Sequence, residues 1–337
     1  MSARDDQAIP PAHGTATEDR LTFVTVVFEP EIALLRLQAR SFARFLDEAC
    51  VAEILVLDNC AGGMRGGTRR SVLREFGATL APRVTFTRTA ALGVHGGAEG
   101  WRSQQAAKLL ICGRVRTPHY VIVDAKNHLI APAGRTAFVD RSGTARGGTH
   151  SYADHPLRRE LEHTLRYLGA DDAEIAAAID DFPPTATPFV VDTALAREMI
   201  EDVEAAAGER FGSAFEHAKL LEFFLYSGWS IHHGRGAPVN GDAFRAAIIW
   251  PRRANEAGAL DAIREAQETD AEWFSVHRRV LARADGATRR RIIDFWVARQ
   301  LMSASEATRF MRRFRLAYVP AVGRARVAER LSRLGGR

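Results

Sequence analysis

The sequence contains few cysteines, few lysines and no long apolar run. Its three cysteines, Cys50, Cys60 and Cys112, form no CxxC pair, which argues against a secreted disulfide scaffold and against a structural zinc site. Sparse cysteines of this kind are typical of free thiols in a reducing cytoplasm. No apolar run reaches the roughly 20 residues of a transmembrane helix, and the polar residues 1–20 lack the apolar core of a signal peptide. We therefore expect a cytoplasmic protein.

Arginine supplies almost all of the positive charge. The only lysines are Lys108, Lys126 and Lys219, among 46 basic residues that leave a net charge of +5. Such an arginine excess is typical of a GC-rich genome, so the basic composition does not by itself predict nucleic-acid binding, and we expect none. The hydrophobic content of 46% and the charged content of 26% are those of an ordinary globular protein.

Apolar runs alternate with helical patterns over the first half of the chain. The predicted strands lie at 21–28, 52–58, 83–88, 119–124, 187–193 and 246–250. Their unbroken apolar character is typical of parallel strands that are covered on both faces. Strands that alternate with helices indicate βαβ units, so we predict an α/β fold with a mostly parallel central sheet flanked by helices.

The chain divides by pattern into three parts. Residues 1–20 are rich in proline, aspartate and small residues, which predicts a disordered leader. Residues 21–252 contain all the predicted strands and form one α/β domain. From about residue 256 only helical patterns remain, so residues 253–337 are predicted to form a basic, all-helical C-terminal appendage.

Two predicted strands end in a carboxylate. Asp124 ends the run HYVIVD, and Asp58, followed by Asn59, ends the run AEILVLD. Ligands of open α/β sheets bind along the carboxyl ends of the strands. Asp124 is therefore a candidate to hold a metal, or the ribose and diphosphate of a nucleotide, and Asp58 with Asn59 is a candidate to contact the nucleoside. The alternative is that each aspartate only caps the turn that follows it.

The helix before the Asp124 strand carries one polar stripe. Trp101, Gln104, Gln105 and Lys108 share a face at helical spacing, while the other faces are apolar. Amide side chains can recognise a base or a sugar, and a lysine can bind a phosphate. The alternative is an ordinary solvated helix face.

A second candidate helix, residues 214–227, is apolar on nearly every side. Glu222 lies within it, where a carboxylate is costly unless it is paired or used in chemistry. Burial would raise the pKa of this carboxyl, which suits a general base, and the alternative is a structural ion pair with a lysine or an arginine. His232 and His233 follow the helix and are candidates to complete a metal site, although paired histidines in a loop are more often surface residues.

Six segments carry a family resemblance, in the order FVTVVFEPEI, ILVLDN, GWRSQQAAKL, HYVIVDAKNH, TPFVVDT and LEFFLY. Together they resemble a family of bacterial glycosyltransferase-like proteins related to the GT-A nucleotide-sugar transferases. The most specific parts are the W-x-x-Q-Q-x-x-K helix, the strand that ends in D-A-K-N and the E-F-x-L-Y helix. The resemblance covers roughly residues 20–250 and implies a GT-A-like fold.

The resemblance also implies roles for single residues. Trp101, Gln105 and Lys108 would lie near the donor. Asp124 would take the place of the first carboxylate of a D-x-D motif, and Glu222 would lie on the acceptor side.

One position departs from the family pattern. Enzymes with a D-x-D motif hold Mn²⁺ or Mg²⁺ on the donor diphosphate through carboxylates, but the third position here is Lys126. In one hypothesis the ammonium of Lys126 replaces the metal and neutralises the leaving diphosphate, so that metal dependence is weak or absent. In the other, Asp124 binds the metal together with Asn127 or with one of the histidines His232 and His233, and Lys126 points elsewhere.

These observations predict transfer of a sugar from a nucleoside-diphosphate sugar to a hydroxyl acceptor, which is a glycan, a lipid-linked molecule or a small molecule. Asp124 and Lys126 would serve the diphosphate, Gln104, Gln105 and Lys108 would hold the donor, and Asn127 would contact it. Glu222 would accept the proton of the acceptor if the enzyme inverts. Two rivals stay open: a nucleotidyltransferase on the same architecture, and a non-catalytic module that binds nucleotide sugars.

The C-terminal segment 311–337 is rich in arginine and has a single acidic residue, Glu329. Basic amphipathic helices are attracted to anionic lipid, so this segment predicts peripheral contact with the inner face of a membrane. The alternative is a solvated helix face in an arginine-rich protein.

Overall fold

A computed structural model describes residues 20–94 and 101–335 of the chain, with side chains up to residue 323. The described strands are β1 (Leu21–Val27), β2 (Val51–Asp58), β3 (Val84–Arg88), β4 (His119–Ile122), β5 (Asn127–Leu129), β6 (Arg146–Gly147), β7 (Phe189–Asp192), β8 (Asn240–Ala243), β9 (Ala246–Ile249) and β10 (Trp273–Val276).

The described residues also form twelve α-helices. They are α1 (Ile32–Phe45), α2 (Gly66–Leu80), α3 (Trp101–Leu110), α4 (Arg158–Tyr167), α5 (Asp172–Asp180), α6 (Thr193–Ala207), α7 (Phe211–His217), α8 (Glu222–His232), α9 (Glu256–Glu268), α10 (Arg278–Arg283), α11 (Gly286–Ala298) and α12 (Ala304–Gly335).

The central sheet has five strands in the order β3-β2-β1-β4-β7. The first four run parallel, and β7 is antiparallel to β4, with His119 opposite Asp192. Every residue of β1 is buried, because helices cover both faces of the sheet. The predicted α/β fold with a mostly parallel sheet flanked by helices is therefore confirmed.

The two faces of the sheet support separate cores. Leu21 and Phe23 of β1 point into a cluster that includes residues of α1 and α2, whereas Val24 and Val26 point into a cluster with residues of α3, α6, α7 and α8. This alternation follows from the period of two along a strand. It places α3 and α8 on the same face, so that they flank the end of β4.

A second sheet crosses the C-terminal part of the chain and corrects the expectation of helices only beyond residue 256. Its order is β5-β10-β9, with β10 antiparallel to β5 and parallel to β9. All four residues of β10 are buried. A strand of four buried residues shows no alternation of polar and apolar residues, so the sequence pattern does not reveal it. Pairing with the distant strands β5 and β9 stabilises it. The strand predicted at 246–250 is present as β9, but it belongs to this sheet and not to the central one.

The helix predicted at 214–227 is also corrected, since it is broken into α7 and α8. The backbone of Lys219 adopts a φ of 55° in the turn between them, a left-handed conformation that ends a helix. Glu222 is consequently the first residue of α8. A carboxylate in the first turn of a helix interacts favourably with the helix dipole, which helps to stabilise it in a buried position.

Three predictions reach beyond the described part of the chain. Residues 1–19 of the predicted leader lie outside it, as do Gly100 of the segment GWRSQQAAKL and the side chains of the C-terminal segment from residue 324. Among the described residues no helix is long and apolar enough to cross a membrane.

Candidate functional site

Asp124 follows β4 at the carboxyl edge of the central sheet, as the sequence predicts. The turn from Asp124 to Asn127 is held from below by Gln38 of α1, whose amide donates to the carbonyl oxygens of Asp124 at 2.8 Å and of Asn127 at 3.1 Å. Gln38 is itself buried and accepts a hydrogen bond from the hydroxyl of Thr25 on β1. The backbone of the turn that carries the Asp124 side chain is therefore held in place by α1 and β1.

Two lysines from different elements meet on this carboxylate. The Nζ of Lys108 on α3 lies 2.9 Å from Asp124 Oδ1, and the ammonium of Lys126 donates to Oδ2. Burial would raise the pKa of Asp124, but the two ammonium groups lower it far below its usual range. Asp124 is consequently ionised at neutral pH, and both of its oxygens already face cations.

Lys108 also joins Asp124 to Glu222. Its Nζ lies 3.1 Å from Glu222 Oε1 and 5.4 Å from the centre of the Phe223 ring. Burial alone would lower the pKa of this lysine, but the carboxylates of Asp124 and Glu222 raise it overall. The backbone of α3 is anchored here because the hydroxyl of Tyr120 on β4 donates to the Lys108 carbonyl at 3.1 Å.

Glu222 is buried, and both of its oxygens have partners. In the amide orientation that satisfies both of its neighbours, Gln105 donates to Glu222 Oε2 at 2.5 Å and accepts from Trp101 Nε1 at 3.0 Å. Burial raises the pKa of Glu222, and Lys108 opposes that rise only in part. Trp101 lies at the outer end of this chain of contacts and is 59% exposed.

A fourth ion pair, which the sequence analysis missed, lies near this network. Arg278, at the start of α10, donates to Glu31 and lies 5.0 Å from the centre of the Phe28 ring. Burial raises the pKa of Glu31, and the charges of Arg278, Asp124 and Lys126 also act on it, as expected of neighbouring groups. The position of Glu31 in the short turn between β1 and α1 was a usable signal, whereas its partner Arg278 lies 247 positions further along the chain.

Three basic and three acidic side chains make up the network, so their charges balance. Ion pairs join Lys126 to Asp124, Asp124 to Lys108 and Lys108 to Glu222, and a separate pair joins Arg278 to Glu31, whose pKa the charges of Asp124 and Lys126 also influence. Their exposure differs, since the side chains of Asp124 and Lys126 are 31% and 18% exposed whereas those of Lys108 and Glu222 are 9% and 6% exposed. Lys108 and Glu222 can therefore act mainly by positioning Asp124, whereas Asp124 and Lys126 can contact a ligand.

Asp58 does not present its carboxylate to this surface. It is fully buried and accepts hydrogen bonds from the backbone amides of Cys60 at 3.1 Å and Met64 at 2.6 Å, and it pairs with Arg69 at 3.3 Å. It thus organises the glycine-rich loop after β2, which is the turn-capping alternative considered for it. Asn59 is buried and accepts from the hydroxyl of Thr89, and its Nδ2 has no partner among the described residues.

Other predicted site residues lie apart from the network. The Asn127 side chain is buried against Thr187 and Ser275, with hydrogen bonds of 2.7–3.1 Å. Gln104 is half-buried on α3 and forms no side-chain hydrogen bond within the described residues.

The two candidate histidines have acidic partners of their own. His232 lies 3.3 Å from Glu174, and His233 lies 3.4 Å from Asp202 while it stacks on Trp229. In the part of the chain that the structure describes, no group of three or more His, Cys, Asp or Glu side chains is placed to hold a metal ion. Because ammonium groups also occupy both Asp124 oxygens, the residues present do not fit Mn²⁺ or Mg²⁺ in this arrangement.

No protein-family model and no curated protein sequence matches the chain. Solved structures similar to it include the bifunctional glycosyltransferase WbbM in its apo form, with a TM-score of 0.43 and 13% identity over 78% of this chain and 47% of WbbM, so the chain spans about half of WbbM. The galactosyltransferase LgtC, in complex with donor and acceptor sugar analogs, has a TM-score of 0.44 and 12% identity over 86% of this chain and 95% of its own. Mouse xyloside xylosyltransferase 1 has a TM-score of 0.43 and 12% identity over 76% of this chain and 97% of its own.

These neighbours are glycosyltransferases, the class that the sequence motifs resemble. TM-scores below 0.5 and identities of 12–13% assign no activity, ligand or residue role to this chain.

Proposed function

We propose that the chain is a glycosyltransferase that moves a sugar from a nucleoside-diphosphate sugar to a hydroxyl acceptor at the Asp124 edge of the sheet. One observation carries the proposal: two lysines converge there on a single, partly exposed carboxylate. Preorganised cations at the place where negative charge develops are a principal means of stabilising a leaving diphosphate.

Lys126 is the group that receives the diphosphate. An ammonium has three N–H donors, and within the described residues Lys126 uses one of them, on Asp124. The remaining donors are available to phosphate oxygens at the outer edge of the network. Lys108 lies behind Asp124 and adds a second positive charge that Glu222 holds in place.

Asp124 accepts the proton of the acceptor hydroxyl, because it is the most exposed of the three carboxylates. As the acceptor oxygen bonds to the anomeric carbon, the bond from that carbon to the diphosphate breaks. The hydroxyl proton passes to Asp124. A diphosphate that draws Lys126 toward itself weakens the interaction that keeps the pKa of Asp124 low, so donor binding makes this carboxylate a stronger base. Glu222 then positions Lys108 and is not the base.

Trp101 provides a stacking surface beside these charges. Its ring is more than half exposed, and Gln105 fixes its orientation. Exposed aromatic rings next to fixed polar groups suit the apolar face of a sugar or a base.

The test combines nucleotide binding with product formation. The wild-type protein is titrated with UDP-, GDP-, CMP- and dTDP-sugars, each with Mn²⁺ and with chelator, and thermal shifts are read alongside mass spectrometry of released or transferred sugar. We expect one nucleotide family to bind in chelator. Lys126→Ala should weaken that binding about tenfold or more, since a charge-assisted contact to phosphate is lost.

Asp124→Asn separates binding from chemistry. It removes a negative charge beside the diphosphate, so nucleotide binding should be retained or strengthened, while turnover should fall about 100-fold or more with the loss of a general base. Arg290→Ala, on the exposed surface of α11, is the control for loss of one positive charge and should change neither readout. Binding without any sugar release by the wild type would favour the non-catalytic module, and absence of binding to every nucleotide would reject the proposal. Strict dependence on Mn²⁺ would reject the role given to Lys126.

A further inference from the structure

A cleft between α1 and α12 has no part in the charged network. Its volume is about 330 Å³, within the roughly 300–1,000 Å³ that is usual for small-ligand pockets. Four arginines, Arg36, Arg40, Arg309 and Arg313, line it. Between them the lining is apolar, formed mainly by leucine, phenylalanine, methionine and alanine side chains. The cleft is therefore amphipathic.

The two helices contribute matching faces to this cleft. On α1 the arginines are four residues apart and Leu37 lies between them, and on α12 Arg309 and Arg313 are also four residues apart with Phe310 between them. Phe314 and Ala317 continue the apolar part of the α12 face. Residues at these spacings share one side of a helix, so the arginines form two rims over an apolar floor.

The positive charge of the rims is only partly compensated. Arg36 and Arg40 each contact Glu75 at 2.9 Å, and Arg40 also contacts Glu306 at 3.0 Å. Arg309 and Arg313 are exposed and form no ion pair within the described residues. Four arginines against two glutamates leave a net charge of +2 at the cleft.

Further apolar side chains lie on the following turns of α12. Leu316 and Val319 are each 73% exposed. They lie outside the cleft lining, on the side of α12 that also carries Arg312 and Arg315.

We propose that this cleft binds an amphiphile whose anionic head, a phosphate or a carboxylate, contacts Arg309 and Arg313 and whose alkyl chain lies on the apolar floor. Guanidinium groups bind such anions with two parallel hydrogen bonds, and each buried methylene of the chain adds a favourable hydrophobic contribution. This site goes beyond the proposed sugar transfer and does not depend on it. It also gives a specific form to the membrane contact predicted for residues 311–337.

The proposal is tested by calorimetric titration of the full chain with dodecyl phosphate below its micelle concentration. Inorganic phosphate and dodecyl maltoside are titrated in parallel, as the head without the chain and the chain without the charge. We expect dodecyl phosphate to bind more tightly than either. The double variant Arg309→Ala/Arg313→Ala should weaken its binding about tenfold or more, because charge-assisted contacts are lost.

The matched control is Arg312→Ala/Arg315→Ala, which removes the same charge from the same helix outside the cleft lining. This variant should bind dodecyl phosphate with an affinity within about twofold of the wild type, because salt screens exposed charges that do not contact the ligand. Ala317→Trp, at an exposed position of the lining, should block the chain and weaken binding without loss of charge. Equal losses in both arginine variants, or unchanged binding in Ala317→Trp, would overturn the proposal in favour of general charge attraction.

Vesicle sedimentation then identifies the source of the amphiphile. Binding to vesicles of phosphatidylcholine with phosphatidylglycerol, but not of phosphatidylcholine alone, and its loss in Arg309→Ala/Arg313→Ala, would mean that the head belongs to a membrane lipid. Dodecyl phosphate binding without vesicle binding would mean a free amphiphile. Absence of binding to dodecyl phosphate and to both vesicles would overturn the proposal.

Discussion

Removal of the buried lysine of the network should strongly destabilise the protein. Lys108 is 7% exposed, and its ammonium lies 2.9 Å from Asp124 and 3.1 Å from Glu222. In Lys108→Met, Asp124 keeps Lys126, but Glu222 keeps no cation among the described residues. A buried charge that loses its partner costs about 3–5 kcal/mol, so we expect the free energy of unfolding to fall by that amount.

The pH dependence of this loss distinguishes a broken ion pair from a packing defect. Because burial raises the pKa of Glu222 in the folded state, its contribution to stability is largest at low pH and is lost as the pH rises through the raised value. Removal of Lys108 raises that pKa further. The variant should therefore be most destabilised near pH 8, and the difference from wild type should shrink toward pH 5.

Urea unfolding followed by circular dichroism measures these differences, and a double-mutant cycle completes the test. Glu222→Gln in the Lys108→Met background removes the unpaired charge. The free energy of unfolding of the double variant should therefore fall by about 1–3 kcal/mol less than the sum of the falls in the two single variants. Lys219→Met, the same substitution outside the network, should stay within about 0.5 kcal/mol of wild type. A loss of less than about 1 kcal/mol in Lys108→Met, or an equal loss near pH 8 and pH 5, would refute the reasoning.

Three further predictions concern stability. His128 is buried and accepts from Trp296 Nε1 at 2.9 Å, and burial lowers its pKa to about 4. Stability should therefore decline as the pH falls from about 6.5 to 4, by up to about 3 kcal/mol, and His128→Asn should flatten this part of the pH profile measured by urea unfolding. Gly258→Ala should cost about 1–3 kcal/mol by thermal unfolding, because the new Cβ would lie 2.3 Å from the Arg253 carbonyl oxygen. Asp58→Asn should lower the free energy of unfolding in urea by about 1.5–3 kcal/mol, because the buried backbone amides of Cys60 and Met64 lose a charged acceptor.

A specific result would contradict each of these predictions. If the stability of His128→Asn declined as much as that of the wild type between about pH 6.5 and pH 4, groups other than His128 would cause the decline. Gly113→Ala, where a new Cβ meets nothing within 4 Å, is the glycine control, and a loss equal to that of Gly258→Ala would discount the close contact. A wild-type unfolding midpoint in Asp58→Asn would mean that the loop after β2 does not require this carboxylate.

The sequence by itself determined the central sheet and part of the site. Continuous apolar runs predicted buried parallel strands because both faces of such strands need cover. The end of one run placed Asp124 at the carboxyl edge, and helical spacing placed Lys108 and Gln105 on one face of the preceding helix. These predictions rest on local periodicity, which a single sequence records directly.

Only the tertiary structure decided which of these polar groups meet. Lys108 faces Asp124 and Glu222 because α3 and α8 pack beside the end of β4, and Arg278 reaches Glu31 from 247 residues away. The strand β10 and the break at Lys219 depend in the same way on contacts between distant segments. Periodicity encodes which residues are buried, but the partner of a buried charge is set by packing between elements, which no local pattern records.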